Sequence, residues 1–247
     1  MEVINDLMGY EGLKIIQDPE LFSFSLDSHL LANFATINVK CQNICDLCTG
    51  NAPIPMYLTL RTKAKITGVE LQEKSYDLAK RSVELNNLTN QISLVNRNLK
   101  DSYLELGFQK FDLVTCNPPY FKAAPNSNYN KNDYKTIARH EVTITLEEII
   151  KEAFNLLNNK GYFAMVHRPE RLVEILELMH KYKLEPKRLR FVYPKKDGEC
   201  NHILIEGIKN GNPGLKVLNP LIIFDENNKW TEEVLKIYNY KEECLCF

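Results

Sequence analysis

The chain has 247 residues, 44% hydrophobic and 26% charged, a composition typical of a soluble globular protein with one large domain or two small ones. Lys and Arg total 31 and Asp and Glu total 32, so the net charge of -1 excludes a uniformly basic surface but allows a local basic patch. No run of about 18 apolar residues occurs, and segment 1–12 does not resemble a secretory signal. We therefore expect a cytoplasmic protein with no membrane partner.

The seven cysteines are an odd number and favour a reduced chain over a disulfide scaffold. Cys45 and Cys48 have the CxxC spacing of a zinc site, but the tail pair Cys244 and Cys246 is a poor second half for one. We interpret these cysteines as buried strand residues and predict no metal.

Short apolar runs alternate with longer helical patterns from residue 43 to 208, which predicts an α/β fold with a mostly parallel sheet and helices on both faces. Seven strands are expected, over residues 43–46, 65–70, 92–96, 111–116, 161–167, 189–193 and 202–208. Helical stripes cover 73–88 and 146–157, the second preceded by a capping box of Thr145 and Glu148. A third helix begins at Pro169, with a predicted inward stripe of Leu172, Val173, Leu176 and Met179.

Three segments lie outside this alternation. Residues 1–42 form an N-terminal extension before the first core strand, and 121–144 are a long polar segment of the kind that is usually functional or disordered. Residues 209–247 are expected to hold a strand pair (215–218 and 221–224), a turn at 227–228 and a final helix. We predict a single domain over 1–247, with its core at 43–208.

A turn of small residues follows the first predicted strand of the core. It spans residues 46–52 (DLCTGNA), and the next strand ends in Glu70. Gly50 allows a ligand to approach the backbone closely, and an acid at that strand tip can accept hydrogen bonds from a ribose diol. The GxGxxG phosphate pattern is absent, so the motif favours S-adenosylmethionine over a dinucleotide. An ordinary tight turn is the alternative.

The fourth predicted strand ends in Asn117-Pro118-Pro119-Tyr120, at the same edge of the sheet. Two prolines fix φ and stiffen this loop. The Asn117 side chain and the Pro118 carbonyl can both accept hydrogen bonds from one planar NH2 group, while Tyr120 or Phe121 stacks on its ring. Two such acceptors favour the pyramidal amine that attacks a methyl group, and the proton can leave after transfer. The alternative is that this segment is only a turn and has no catalytic role.

At these motifs the sequence resembles the class I S-adenosylmethionine-dependent N-methyltransferases of the NPPY type, over most of the chain. Within that group it is most similar to the bacterial tRNA-valine adenine-37 N6-methyltransferases. The closer likeness rests on residues 22–32 (FSFSLDSHLLA), 138–141 (ARHE) and 167–171 (HRPER). The resemblance implies a Rossmann-like class I fold with a seven-stranded, mostly parallel sheet. It also implies methyl transfer from S-adenosyl-L-methionine to N6 of an adenine in tRNA.

The resemblance also implies roles for individual residues. The expected catalytic residues are Asn117, Pro118, Pro119 and Tyr120. The expected cofactor-binding residues are Phe24, His29, Asp46, Cys48, Gly50, Asn51, Glu70, Leu71 and Asn98. The resemblance also implies that Phe24, Asp27 and His29 fold over the cofactor as an N-terminal lid. The alternative is that this segment only packs against the fold, with Asp27 as a helix cap. The sequence departs from the family pattern where Cys48 and Ala52 replace loop glycines, and where Asn98 replaces an acid beside the adenine of the cofactor.

A basic stretch lies at residues 178–196, where seven basic residues face one acid, Glu185. Tyr182, Phe191 and Tyr193 are interleaved with them, a pattern suited to holding single-stranded RNA. The expected RNA-binding residues are Phe121, Arg139, Arg168, Arg171, Lys187, Arg188 and Arg190. The predicted partner is a tRNA anticodon loop, because its bases are already exposed, and we expect a monomer. A solvated helix end followed by a strand is the alternative.

Other functions share part of this pattern. The same amine chemistry suits a glutamine side chain in a protein or a guanine in ribosomal RNA. The 42 residues before the core leave little room for the helical domain typical of the glutamine enzymes, and we expect no space in this chain for the duplicated domain typical of the guanine enzymes. A non-catalytic cofactor sensor or RNA-binding protein would not need the paired acceptors of Asn117 and Pro118.

Overall fold

The computed structural model describes residues 1–7, 10–19, 21, 26–120 and 144–238. Its strands are β1 (Val3–Leu7), β2 (Tyr10–Gln17), β3 (Asn43–Leu47), β4 (Lys65–Glu70), β5 (Ile92–Asn96), β6 (Phe111–Cys116), β7 (Leu157–His167), β8 (Leu184–Tyr193), β9 (His202–Lys209), β10 (Lys216–Val217) and β11 (Leu221–Ile222). Its helices are α1 (Leu26–Phe34), α2 (Pro53–Thr59), α3 (Glu73–Leu85), α4 (Tyr103–Leu106), α5 (Leu146–Leu156), a 3-10 turn (Pro169–Arg171), α6 (Leu172–Lys181) and α7 (Glu232–Tyr238).

A central sheet of nine strands organises the described part of the chain, in the order β10-β8-β9-β7-β6-β3-β4-β5 with β11 also paired to β8. Strand β9 runs antiparallel to both of its neighbours, and the other pairs in this sheet are parallel. The predicted mostly parallel α/β sheet is therefore confirmed. The seven expected strands are present, and the short strands β10 and β11 pair with the outer edge of β8, whose backbone groups would otherwise be left open.

Alternate residues of the central strands face two separate hydrophobic layers, as the pleat of a strand requires. Leu113 and Ala164 belong to a layer with α1, α2, α3 and α7, whereas Val114 and Met165 belong to a layer with α5 and α6. Helices on both faces thus protect a sheet whose central residues are fully buried. This arrangement leaves the carboxyl ends of the parallel strands as the edge where loops can form a site.

The N-terminal segment is part of this packing. Strands β1 and β2 form an antiparallel hairpin. The hairpin is tied to α3, because the Asn86 side chain donates to Lys14 O (2.6 Å) and accepts from Lys14 N (2.8 Å). Helix α1 packs on α2 and β7, and its Leu31 is fully buried. Among the predicted lid residues, Phe24 lies outside the described residues.

Four details of the predicted elements are wrong. The fifth strand begins at residue 157 rather than 161, because its polar start at 158–160 hides the extension in the sequence. The predicted pair at 215–218 and 221–224 is two short strands, each of which pairs with β8 rather than with the other. The sixth strand begins at residue 184 rather than 189, and a register shift between Pro186 and Arg188 interrupts its pairing with β9. Pro186 has no N–H for the ladder, and its charged neighbours hide the strand in the sequence. In α6, Val173 is 69% exposed and Ile175 is buried in its place. A helix face that contains Leu172, Leu176 and Met179 includes residue 175 and not 173, because one face repeats at i, i+3, i+4 and i+7.

Candidate active site

Three neighbouring parallel strands bring the sequence motifs to one edge of the sheet. In the register of these strands, Leu47 of β3 lies beside Val69 of β4 and Cys116 of β6. The loops that follow them therefore begin side by side at the carboxyl edge. This places the turn after Asp46, the acid Glu70 and the loop that begins at Asn117 in one region, as the spacing predicts.

Asp46 is fully buried and is held by two hydroxyl groups. The side chains of Thr49 and Thr115 each donate to one of its carboxylate oxygens at 2.6 Å. Burial raises the pKa of Asp46 to about 7, although the two hydroxyl donors oppose that shift. A carboxylate held in this way is oriented but poorly solvated, so a cation placed beside it would gain a strong interaction.

The turn after Asp46 keeps the backbone of a glycine-rich loop without most of its glycines. Cys48, Gly50 and Ala52 all have left-handed φ angles, of 57°, 57° and 67°. The departures at Cys48 and Ala52 therefore preserve the conformation, at the steric cost that a Cβ carries in this region. A Cβ built at Gly50 would meet no atom within 4 Å, so open space lies beside the loop.

Glu70 joins the tips of β3 and β4. Its carboxylate is 6% exposed and accepts from Gly50 N and Gln72 N, both at 2.8 Å. Burial is the largest influence on Glu70 and raises its pKa, while these backbone donors lower it. The acid is thus fixed beside the open space at Gly50, where a diol could reach it.

The other predicted cofactor residues take different positions around this edge. Leu71 is exposed beside Glu70, and Asn98 is an exposed turn residue whose side chain accepts from Lys100 N at 2.9 Å. Asn51 is buried and donates to Ile16 O at 3.0 Å, so it anchors strand β2.

His29 lies in an aromatic cluster. It is 1% exposed, stacks on Tyr57 with ring centroids 4.1 Å apart, and meets Tyr238 edge-on at 4.8 Å. Burial lowers the pKa of His29 to about 4, so the ring is neutral at physiological pH. This placement favours the packing interpretation of the segment around α1 over a contact with the cofactor.

The Asn117-Pro118-Pro119-Tyr120 loop closes against α1. The Tyr120 hydroxyl lies 2.6 Å from Asn117 Oδ1 and 3.0 Å from Asp27 Oδ2, and Asn117 Nδ2 lies 3.4 Å from Ser28 Oγ. Pro118 and Pro119 are buried, whereas Asn117 and Tyr120 are half-buried. The acceptor predicted for a substrate amine is therefore present, but the tyrosine of the same loop contacts it.

Two histidines complete the surroundings of Tyr120, and sequence reasoning missed both. The rings of His167 and His202 lie 5.4 and 5.6 Å from the Tyr120 ring, and His202 Nε2 lies 3.3 Å from Asp27 Oδ2. Burial lowers the pKa of both histidines, that of His167 to about 4. His167 lies in the HRPER segment, whose likeness to the family could have identified it as a site residue. Nothing in the sequence around His202 indicates that it lies near the site.

Most of the described residues predicted to bind RNA are paired within the protein. Arg168 follows β7 beside the Tyr120 cluster and donates to Asn201 O at 2.7 Å. The others described are engaged within the protein: Arg171 with Glu174, Lys187 with Asn212 O, Arg188 with Glu206, and Arg190 with Glu233. Phe121 and Arg139 lie outside the described residues. Lys195 and Lys196 are exposed in the turn after β8, at the same sheet edge as Asn117.

No group of three or more His, Cys, Asp or Glu side chains within the described ranges is arranged to hold a metal ion. Cys45 is buried and Cys48 is half-buried, and neither forms a disulfide. None of the helices described in this structure is both long and apolar enough to cross a membrane.

Comparison with known proteins shows the family to which a chain with this geometry belongs. The family model described as the methyltransferase small domain matches residues 12–184, which include β3, the Gly50 loop and the Asn117 loop. The chain belongs to the methyltransferase small domain family. Nearly all of β8 lies beyond that match, as do β9, the short strands β10 and β11, and helix α7.

Several curated proteins are similar to the chain in sequence. A tRNA1(Val) (adenine(37)-N6)-methyltransferase of Porphyromonas gingivalis is 31% identical over 67% of the chain and 65% of its own length, just under two thirds of that relative. A protein of the same name from Flavobacterium psychrophilum is 26% identical over 92% of the chain and 88% of its own length.

Solved structures show the same fold. A predicted O-methyltransferase of Agrobacterium tumefaciens superposes with a TM-score of 0.68 at 21% identity, over 87% of the chain and 96% of that structure. The TYW2 protein of Pyrococcus horikoshii, solved with MeSAdo, superposes with a TM-score of 0.58 at 13% identity, over 85% of the chain and 72% of that structure. The predicted class I methyltransferase fold is confirmed.

Proposed function

We propose that this protein transfers the methyl group of S-adenosyl-L-methionine to N6 of an adenine in tRNA, and that the target is adenine 37 of tRNA-valine. The observation that carries the proposal is the Asn117-Pro118-Pro119-Tyr120 loop, which begins beside Asp46 and Glu70 at the carboxyl edge of a methyltransferase sheet. The names of the curated relatives support the choice of tRNA and of N6.

The residues at the sheet edge fit the cofactor. The buried Asp46 carboxylate suits the ammonium group of its methionine end, the open space at Gly50 leaves room for it, and Glu70 suits its ribose diol. The sulfonium of the bound cofactor supplies an electrophilic methyl group. Because a cation beside Asp46 favours the ionised carboxylate, binding would offset the unfavourable burial of that charge.

The catalytic loop would activate the amine by orientation. Asn117 Oδ1 and the Pro118 carbonyl would accept the two amine hydrogens, which concentrates the nitrogen lone pair toward the methyl group. The amine nitrogen would form its bond to the methyl group as the bond from that methyl group to sulfur breaks, and the cationic nitrogen would then lose a proton to water. Stacking of the base on Tyr120 or Phe121 is part of this proposal, with the Tyr120 ring at present against His167 and His202.

The RNA would approach over the same edge. Arg168, Lys195 and Lys196 follow β7 and β8 at this edge, on the side of the sheet where the Asn117 loop lies, so they are the proposed phosphate contacts. We propose in addition that the chain acts as a monomer, that 1–247 is one domain, and that the anticodon loop is the bound part of the tRNA. A tRNA substrate also supports a cytoplasmic location.

The test uses labelled S-adenosylmethionine with separate pools of unmodified tRNA, ribosomal RNA and release-factor protein. We expect label in tRNA, and its loss in Asn117→Ala by roughly 100-fold or more, with cofactor affinity unchanged. Asn212→Ala, in an exposed turn distant from this edge, is the matched control and keeps full activity. Label in protein or ribosomal RNA alone would replace this function by glutamine or guanine methylation, and full activity of Asn117→Ala would refute the role of the loop.

A further inference from the structure

The hydroxyl group of Tyr120 has two acceptors and one hydrogen. Asn117 Oδ1 lies 2.6 Å from the hydroxyl oxygen, and Asp27 Oδ2 lies 3.0 Å from it on another side. A phenol donates one hydrogen bond at a time, so these two contacts are alternatives. Burial beside Asp27 raises the pKa of Tyr120, so the hydroxyl keeps its hydrogen at physiological pH.

Asp27 is a fixed acceptor. It lies in the first turn of α1 and is 8% exposed, and its Oδ2 is also 3.3 Å from His202 Nε2. Helix α1 is held in place by its buried Leu31 and, just beyond its end, by Thr36, whose N and Oγ1 donate to buried Glu206 at 2.6 and 2.8 Å. The carboxylate therefore stays beside Tyr120 whichever acceptor the hydroxyl uses.

The bond between Tyr120 and Asn117 opposes the role proposed for Asn117. A donor on Asn117 Oδ1 occupies one of its lone pairs and withdraws electron density, so the oxygen becomes a weaker acceptor for a substrate amine. A carboxylate is a stronger acceptor than an amide oxygen, because a hydrogen bond to a charged group is worth about twice a neutral one. Asp27 can thus take the hydroxyl without loss when an amine claims Asn117.

We propose that Asp27 is a positioning residue, which accepts the Tyr120 hydrogen bond when the substrate amine binds and so leaves Asn117 Oδ1 to that amine. The inference rests on the proposed function, because it assumes an amine at Asn117. No covalent bond changes: the hydroxyl rotates from the amide oxygen to the carboxylate. Asp27 acts through Tyr120 and does not touch the methyl acceptor.

A rescue experiment tests this role through the hydroxyl itself. We expect Asp27→Ala to lower kcat by roughly 10-fold or more, because the hydroxyl then stays on Asn117. Tyr120→Phe removes the competing donor, so in that background the added Asp27→Ala change should lower kcat by less than about 3-fold. The double variant should therefore have the kcat of Tyr120→Phe, whatever that value is. A double variant that is about 10-fold or more slower than Tyr120→Phe would overturn the proposal, because a structural role of Asp27 predicts the same loss in both backgrounds.

A second measurement does not depend on activity. In protein labelled with 13C at the tyrosine Cζ, the Tyr120 resonance is identified by its disappearance in Tyr120→Phe. Asp27→Asn should shift that resonance, whereas Glu147→Gln should shift only Tyr182, whose hydroxyl lies 2.7 Å from Glu147 Oε1. An unmoved Tyr120 resonance would refute the contact. If the wild type methylates no tRNA, the proposed function fails, and the resonance alone decides whether Asp27 controls the Tyr120 hydroxyl.

Discussion

Asp46 should make the protein less stable as the pH rises, and replacing it with the isosteric asparagine should remove that dependence. Burial raises its pKa from the ordinary value of 3.8 to about 7 in the folded chain. A group with a raised folded pKa favours the folded state at low pH, where it is protonated. That advantage is lost as the pH rises from 3.8 to about 7.

The magnitude follows from the two pKa values. Each pKa unit is worth about 1.4 kcal/mol, so ionised Asp46 destabilises the folded chain above pH 7 by about 4 kcal/mol relative to the protonated form. At pH 5 a smaller part of this penalty is present. Asp46→Asn should therefore stabilise the protein more at pH 8 than at pH 5, by about 3 kcal/mol. For a chain of this length that difference is roughly 6–12 °C in Tm.

The assay is thermal unfolding of wild type and Asp46→Asn at pH 5 and pH 8 without cofactor, with Asp77→Asn as the matched control. Asp77 has a 58% exposed side chain, so its replacement should change Tm little at either pH. Isothermal binding should show that Asp46→Asn loses affinity for S-adenosylmethionine while gaining stability. An Asp46→Asn variant whose Tm follows pH as the wild type does would refute the reasoning.

Two further predictions concern the Gly50 loop and the RNA surface. Cys48→Gly should relieve the strain of a left-handed φ of 57° and raise Tm by roughly 1–3 °C in thermal unfolding. Ala52→Gly should not raise Tm, because it also removes a buried methyl group. A lower Tm for Cys48→Gly would contradict this prediction. Lys195→Ala and Lys196→Ala should each reduce the slope of log binding constant against log salt concentration for tRNA by about one, which corresponds to one phosphate contact. Arg188→Met should leave that slope unchanged, because Arg188 is paired with Glu206, and a slope unchanged in both lysine variants would refute the proposed surface.

The sequence predicts this fold well wherever a short apolar run is bounded by polar turns. The predicted strands at 65–70, 92–96 and 111–116 coincide with β4, β5 and β6, because their apolar runs are bounded by polar turns. The capping box is also confirmed, with Thr145 Oγ1 accepting from Glu148 N at 3.2 Å and Thr145 N donating to Glu148 Oε2 at 3.0 Å. These are local features, fixed by neighbouring residues.

Contacts between distant parts of the chain are the features that sequence reasoning missed. Asp27 and Tyr120 are separated by 93 positions, and the reversed strand β9 brings His202 to the same place. The basic residues show the same effect: Arg188 and Arg190 count toward the local charge, but Glu206 and Glu233 pair with them in the fold. A charge count along the sequence therefore overestimates the surface available to RNA.

The most direct test of the central claim is the identity of the methylated nucleoside. Wild-type protein is incubated with S-adenosylmethionine and unmodified tRNA-valine transcripts that carry adenosine or guanosine at position 37, and the digested RNA is analysed by mass spectrometry. The account predicts N6-methyladenosine from the first transcript only, and none when Asn117→Ala replaces the wild type. Equal N6-methyladenosine from both transcripts would contradict the target at position 37, and methylation of neither would contradict the proposed reaction.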